Sequence, residues 1–172
     1  MSRTPDAKAD PEMVLGKLSA MEDHLKEMTR QAEEFNHHQH LYGLPVNEFS
    51  ALGDIKTDFD MRSGLWRGLH DFHESKDAWL NSNFLTIGWE DAEKKVKLMQ
   101  GQAMQYGRKL KDDKVAELFK HEVQQWMVNV SAVTELGNPA LKPRHWEKVF
   151  VKCNQVYRED KEFTLSDLTE WN

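Results

Sequence analysis

Apolar residues recur at alternating steps of three and four along most of this chain, a period that helices packed along their length satisfy and strands do not. The first run is Val14, Leu18, Met21, Leu25, Met28, Ala32 and Phe35. Beyond Gly43-Leu44-Pro45, where Gly tolerates a turn and Pro disfavours helix in the residue before it, the spacing resumes. Phe49, Leu52, Ile55, Phe59, Trp66, Leu69, Phe72 and Trp79 carry it to about Phe84, with Gly64 and Gly68 marking a bend or a close approach. A third stripe runs through Trp89, Ala92, Val96, Met99, Ala103, Tyr106 and Leu110. The fourth, from about Val115 to Leu136, places Leu118, Phe119, Val123, Trp126, Met127, Val130 and Val133 on a broad face, which predicts the most buried helix of the set.

Punctuation agrees with these runs. Asp10-Pro11 supplies a cap and a first-turn residue, Lys111-Asp112-Asp113 is a polar connector, and Gly137 ends the fourth helix. A short helix holding Arg144, His145, Trp146, Val149 and Phe150 follows. Thr164 with Asp167 three residues on predicts one more helix start, with Phe163 and Leu168 as its hydrophobic staple. Only 9 Gly and 5 Pro interrupt 172 residues, which disfavours a sheet. The expected fold is all-α, an elongated bundle of five to six long antiparallel helices. Residues 1–9 are expected to be a disordered leader, 10–84 a long helical hairpin, and 85–172 a helical bundle whose last helix has barely begun at Asn172, as in a piece cut from something longer.

Charge and composition exclude several functions. The net charge of −6 lacks the basic footprint that phosphate neutralisation needs, so no nucleic-acid partner is expected. No apolar run approaches the ~20 residues that cross a bilayer, so no membrane partner is expected either. A single cysteine, Cys153, forms no disulfide framework and carries no local signature of a nucleophile. Six Trp on helical stripes read as core anchors.

Chemical motifs are sparse. Glu34-x-x-His37 is half of a di-iron bundle signature without its second copy, and His37, His38 and His40, or His70 and His73, are too few for a metal site. Gly101 and Gly107 stand one residue too far apart for a phosphate loop, with no Lys-Ser/Thr pair after them, inside a helical pattern. Asn129-Val130-Ser131 matches a glycosylation triplet in mid-helix and reads as chance. No catalytic, cofactor-binding or metal-binding residue is therefore assigned.

One segment is more specific. Gly137-Asn138-Pro139-Ala140-Leu141-Lys142-Pro143-Arg144-His145-Trp146 resembles the Asn-Pro-Ala-(Leu/Met)-x-x-Arg-His-Trp signature in the linker region of dynein heavy chains. Upstream, Leu41-Tyr42-Gly43-Leu44-Pro45 with Phe49, Leu52 and Leu65-Trp66 is similar to the start of that region. Downstream, Phe163-Thr164-Leu165-Ser166-Asp167-Leu168 resembles its Phe-Thr-Leu-x-x-Leu element. The resemblance covers about residues 41–172, and the Asn-Pro-Ala form is more typical of axonemal chains.

The resemblance implies a non-catalytic mechanical segment at the junction of tail and linker, coupling ATP-driven changes in an AAA+ ring to movement of the tail. Asn138, Pro139, Arg144, His145 and Trp146 are then signature residues with structural roles. ATP and Mg would belong to the parent motor's ring. Implied partners are that ring, the remaining linker and tail, intermediate or light chains or other axonemal subunits, and microtubules through the parent. The implied location is the cytoskeleton, in a ciliary or flagellar axoneme. The alternative is an independent helical adaptor that binds a partner helix through the seam of Val14, Leu18, Met21, Leu25, Met28 and Phe35.

Overall fold

The computed structural model describes residues 11–171; the expected leader and the Asp10 cap lie outside the described residues. Among these residues the chain forms α1 (Pro11–Leu41), α2 (Ser50–Asn81), a 3-10 turn (Phe84–Thr86), α3 (Trp89–Lys109), α4 (Lys114–Leu136), α5 (Pro143–Lys152) and α6 (Leu165–Glu170). No strand occurs among them. The one extended pairing is an isolated antiparallel bridge between Asn83 and Thr164. The chain divides into two compact units, the first ending at His70 and the second beginning at Asp71.

In the first unit, α1 and the N-terminal two-thirds of α2 form an antiparallel hairpin. Arg67 Nη2 donates to Glu22 Oε2 at 2.5 Å near one end, and Phe35 meets Phe49 edge to face at 6.4 Å near the other. Gly43, at φ 67°, takes the left-handed conformation that ends α1. The Leu44 N–H donates to the Gln39 carbonyl at 2.9 Å, and the Gln39 side-chain oxygen accepts from the Asn47 N–H at 3.0 Å, pinning the reversal. Along α1 the exposed Arg30 bridges Glu27 and Glu34 at 2.8 and 2.9 Å. Arg30, helped by Gln31, holds the Glu27 carboxyl down at about 2. Being open to solvent, the network adds little to stability.

The seven-residue seam predicted on α1 is divided by the structure. Val14 is buried, and Leu18, Leu25 and Ala32 are half-buried, whereas Met21, Met28 and Phe35 are exposed. The half-buried positions advance instead through Glu22, Thr29, Asn36 and Gln39. The packed face keeps a seven-residue repeat in a different phase: each step of four from Leu18, Leu25 and Ala32 lands on it, and each step of three falls outside.

The second unit is built on α3 and α4, packed antiparallel, with Gly107 near Lys120 and Trp89 near Thr134. Asp113 starts α4 by accepting from the Val115 and Ala116 N–H groups at 2.9 and 3.3 Å. Residues 71–81 of α2 lie on α4: Phe72 meets Phe119 edge to face, Trp79 stacks on Trp126 at 6.0 Å, and His73 Nε2 lies 2.7 Å from Glu122 Oε2. Two expectations need correction. The second helix stops at Asn81, short of Phe84, because Asn83 accepts from the Leu85 N–H at 3.0 Å and starts a 3-10 turn. Nor is α4 the most buried helix. It and α3 each bury five residues, since each offers one stripe to the other and Trp126, Met127 and Val133 fall at the margin.

Candidate functional site: the signature turn and its aromatic core

The segment from Gly137 to Trp146 joins α4 to α5, and its residue types dictate the path. Gly137 caps α4, its N–H donating to the Val133 carbonyl at 2.8 Å. Asn138 Oδ1 accepts from the Ala140 N–H at 2.9 Å, while the Leu141 N–H returns to the Asn138 carbonyl at 2.9 Å. With Pro139 as the second residue, whose ring sets φ near the value a turn requires, this is a β-turn reinforced by the Asn side chain. Both Asn138 and Pro139 are exposed.

At the start of α5, Pro143 occupies the first helical position and needs no hydrogen-bond acceptor there. His145 Nδ1 accepts from the Lys142 N–H at 3.0 Å, and the His145 N–H donates to the Lys142 carbonyl at 2.8 Å. An Nδ1 that accepts obliges the neutral ring to carry its proton on Nε2. The 3.3 Å approach of Arg144 Nε to that Nε2 therefore sets two N–H groups side by side and is not a hydrogen bond between them. Arg144 itself is exposed.

This tautomer gives a sharp test. Asn places its side-chain oxygen roughly where Nδ1 sits, so His145→Asn should keep the cap, whereas His145→Leu should lower stability by about 0.5–2 kcal/mol. Chemical denaturation of both variants distinguishes them, and equal losses would show that the imidazole does not cap α5.

Trp146 turns inward and is buried. Its ring lies 5.0 Å from Phe163, 5.5 Å from Phe84 and 6.4 Å from Phe150. Phe84 is the centre of the group, fully buried against Trp89 (4.8 Å), Trp146 and Phe163 (5.7 Å). Trp89 Nε1 donates to the Phe84 carbonyl at 3.0 Å, which satisfies an indole that would otherwise be costly to bury. The Phe84 N–H donates to the Phe163 carbonyl at 2.8 Å, so two residues 79 apart in sequence are tied by backbone as well as by rings. On the far side Phe150 adds Tyr157 and Trp171. Burial and nearby carboxylates push the Tyr157 hydroxyl above its usual range.

Thr164 and Asp167 start α6 as predicted. The Thr164 N–H donates to Asp167 Oδ2 at 2.7 Å, and the Asp167 N–H donates to Thr164 Oγ1 at 3.1 Å. Phe163 is buried and Leu168 half-buried.

Other sequence candidates fall elsewhere. Gly101 and Gly107 lie inside α3, where backbone amides are committed to helix bonds, so this segment does not fit a nucleotide phosphate. Glu34 is paired with Arg30. His37, His38 and His40 are exposed, and His73 contacts Glu122. Among the described residues no three His, Cys, Asp or Glu side chains are grouped to hold a metal. Cys153 is half-buried at the end of α5. A recess of about 210 Å³ in the hairpin is lined by Thr29, Ala32, Glu33, Asn36, Phe49, Leu52, Gly53 and Lys56, and the Thr29 hydroxyl donates to the Leu25 carbonyl at 2.8 Å. What sequence reasoning missed is Phe84, whose apolar character merged with the helix before it, and the contact of Gly137 with Trp89.

Comparison with known proteins follows this geometry. Residues 52–172 match the family described as dynein heavy chain, N-terminal region 2. Human dynein axonemal heavy chain 6 is 22% identical over 144 residues, covering 84% of this chain and 4% of that protein. The ciliary dynein beta chain of Heliocidaris crassispina is 24% identical over 152 residues, 88% of this chain and 3% of the relative. The dynein-1-beta heavy chain of the flagellar inner arm I1 complex of Chlamydomonas reinhardtii is 21% identical over 166 residues, 96% of this chain and 4% of its own length. The chain thus spans only a few per cent of these relatives.

Proposed function

This chain belongs to the dynein heavy-chain family, and from that premise we propose that it is a non-catalytic mechanical segment at the junction of tail and linker, coupling ATP-driven changes in an AAA+ ring to movement of the tail. The observation that carries this reading is how the signature residues are used. Trp146 is spent on packing, His145 on a cap, and Asn138 and Pro139 on a turn. Side chains so committed hold one shape, and a segment that holds its shape passes displacement on. Helices resist bending because it breaks backbone hydrogen bonds and interdigitated side chains together. ATP and Mg enter through the ring of the parent motor. The partners on this reading are the ring, the rest of the linker and tail, and intermediate, light or axonemal subunits, with microtubules reached through the parent. The axonemal, ciliary and flagellar names of the relatives support a location in a cilium or flagellum.

The test has two arms. The isolated chain should show no ATP hydrolysis above a buffer control. In a complete heavy chain carrying this segment, Trp146→Ala should reduce microtubule gliding velocity more than it reduces ATP turnover. Turnover by the isolated chain that a point substitution here abolishes, or gliding and turnover falling in equal proportion, would overturn the proposal.

A further inference from the structure

Among the described residues of the first unit, α1 carries a row of exposed apolar side chains. Met21, Met28 and Phe35 stand seven residues apart on α1 and are 51%, 41% and 51% exposed, and Tyr42, in the turn just past its end, is 78% exposed. Ile55, on α2, is 54% exposed. The pairing of Phe35 with Phe49 sets Ile55 near the Met28–Phe35 stretch of α1. Single exposed apolar side chains are ordinary, but a row in register along one helix face is not.

The spacing selects the shape of what covers it. Seven residues advance about 10.5 Å along a helix, so the helical row from Met21 to Phe35 extends about 21 Å, with Tyr42 beyond it. Another helix presents apolar side chains at that same interval, whereas a strand repeats on one face about every 6.8 Å and falls out of step.

Charge selects the sign. Over residues 21–62, which hold the whole row, nine Asp and Glu, Glu33 and Asp54 among them, stand against Lys26, Arg30, Lys56 and Arg62, so the net charge is 4 − 9 = −5. A second copy of this chain would bring the same negative field to the interface, which disfavours self-pairing. We propose that this row is a docking surface for an amphipathic helix of another polypeptide whose apolar heptad face is flanked by Lys and Arg. This differs from an adaptor reading of the whole α1 seam, because Val14, Leu18 and Leu25 are already turned inward. It does not depend on the mechanical role proposed above, since docking is read on the full chain without a motor.

The probe is a fluorescent 21-residue helical peptide with Leu at heptad spacing and Lys at the flanking positions, beside a twin with Glu flanks. In anisotropy titrations with the full chain, the Lys peptide should bind about tenfold or more tightly than the Glu twin, and raising salt should narrow the gap. Ile55→Ser and Tyr42→Ser should each weaken binding about threefold or more, while Leu98→Ser, an equally exposed residue on α3, should change nothing. Glu33→Lys with Asp54→Lys should erase the preference for Lys flanks. Circular dichroism establishes that each variant is folded. Absence of saturable binding, equal binding of both peptides, or indifference to Ile55→Ser would overturn the proposal. So would a concentration-dependent dimer in sedimentation that Ile55→Ser abolishes, because the occupant would then be a second copy.

Discussion

Trp146→Ala should lower the unfolding free energy of the second unit by about 3–5 kcal/mol, the range seen when a buried Trp or Phe is truncated. The upper part of the range is expected because collapse around the hole is obstructed. Three rings border it, and Phe84 and Phe163 are tied to each other by a 2.8 Å backbone hydrogen bond. Domains are stable by only about 5–15 kcal/mol, so this one change removes a large share of the margin. The denaturant midpoint followed by circular dichroism at 222 nm reads the effect. Trp171→Ala is the control, since that ring is half-buried and touches only the outer side of the cluster through Phe150 and Phe163. It should cost less, and a Trp146→Ala midpoint equal to that of the wild type would remove the ring from the core.

Much of this architecture is legible in the sequence because helix and stripe are local properties. The runs from Trp89 to Leu110 and from Val115 to Leu136 predict α3 and α4 nearly to the residue, as the apolar steps and the punctuation at Asp113 and Gly137 agree. The Thr164–Asp167 start of α6 is equally local, two side chains three residues apart satisfying each other's amides. Where the reading slips, a longer-range term decides. Phe84 extends the apolar pattern of α2, yet its ring is claimed by Trp89, Trp146 and Phe163, and no spacing along α2 records partners up to 79 residues away. Met21, Met28 and Phe35 match a seven-residue repeat on paper, but the face that packs runs through Glu22, Thr29 and Asn36 one position on, and apolar spacing alone does not record that polar side chains take the inner places. The signature itself marks the place without assigning the work. That His145 accepts while Trp146 packs and Arg144 faces solvent follows only from the distances.

Gly137→Ala and Gly101→Ala, the same chemical change at two glycines of the second unit, should move stability in opposite directions. Gly101 lies on the exposed side of α3 with open space where a Cβ would stand. Alanine there restricts the unfolded chain and is the better helix former, so a gain of about 0.4–1 kcal/mol is expected. At Gly137 the backbone is ordinary, with φ −80°, so conformational freedom is not the reason for glycine. The reason is Trp89: a Cβ would fall on its five-membered ring. That ring has no easy retreat. It is buried, its Nε1 donates to the Phe84 carbonyl at 3.0 Å, and its face is 4.8 Å from the Phe84 ring. Relief requires either rotating Trp89, which breaks the indole bond, or pushing the end of α4 and the Asn138 turn outward. Overpacking of this kind costs about 1–3 kcal/mol, and Gly137→Val, with two more carbons, should cost more than Gly137→Ala. Thermal melts of the three variants under one set of conditions give the ordering directly. If Gly137→Ala melts at or above the wild-type temperature, the glycine is not there to admit the indole, and the contact between the end of α4 and the start of α3 must be looser than the structure draws it.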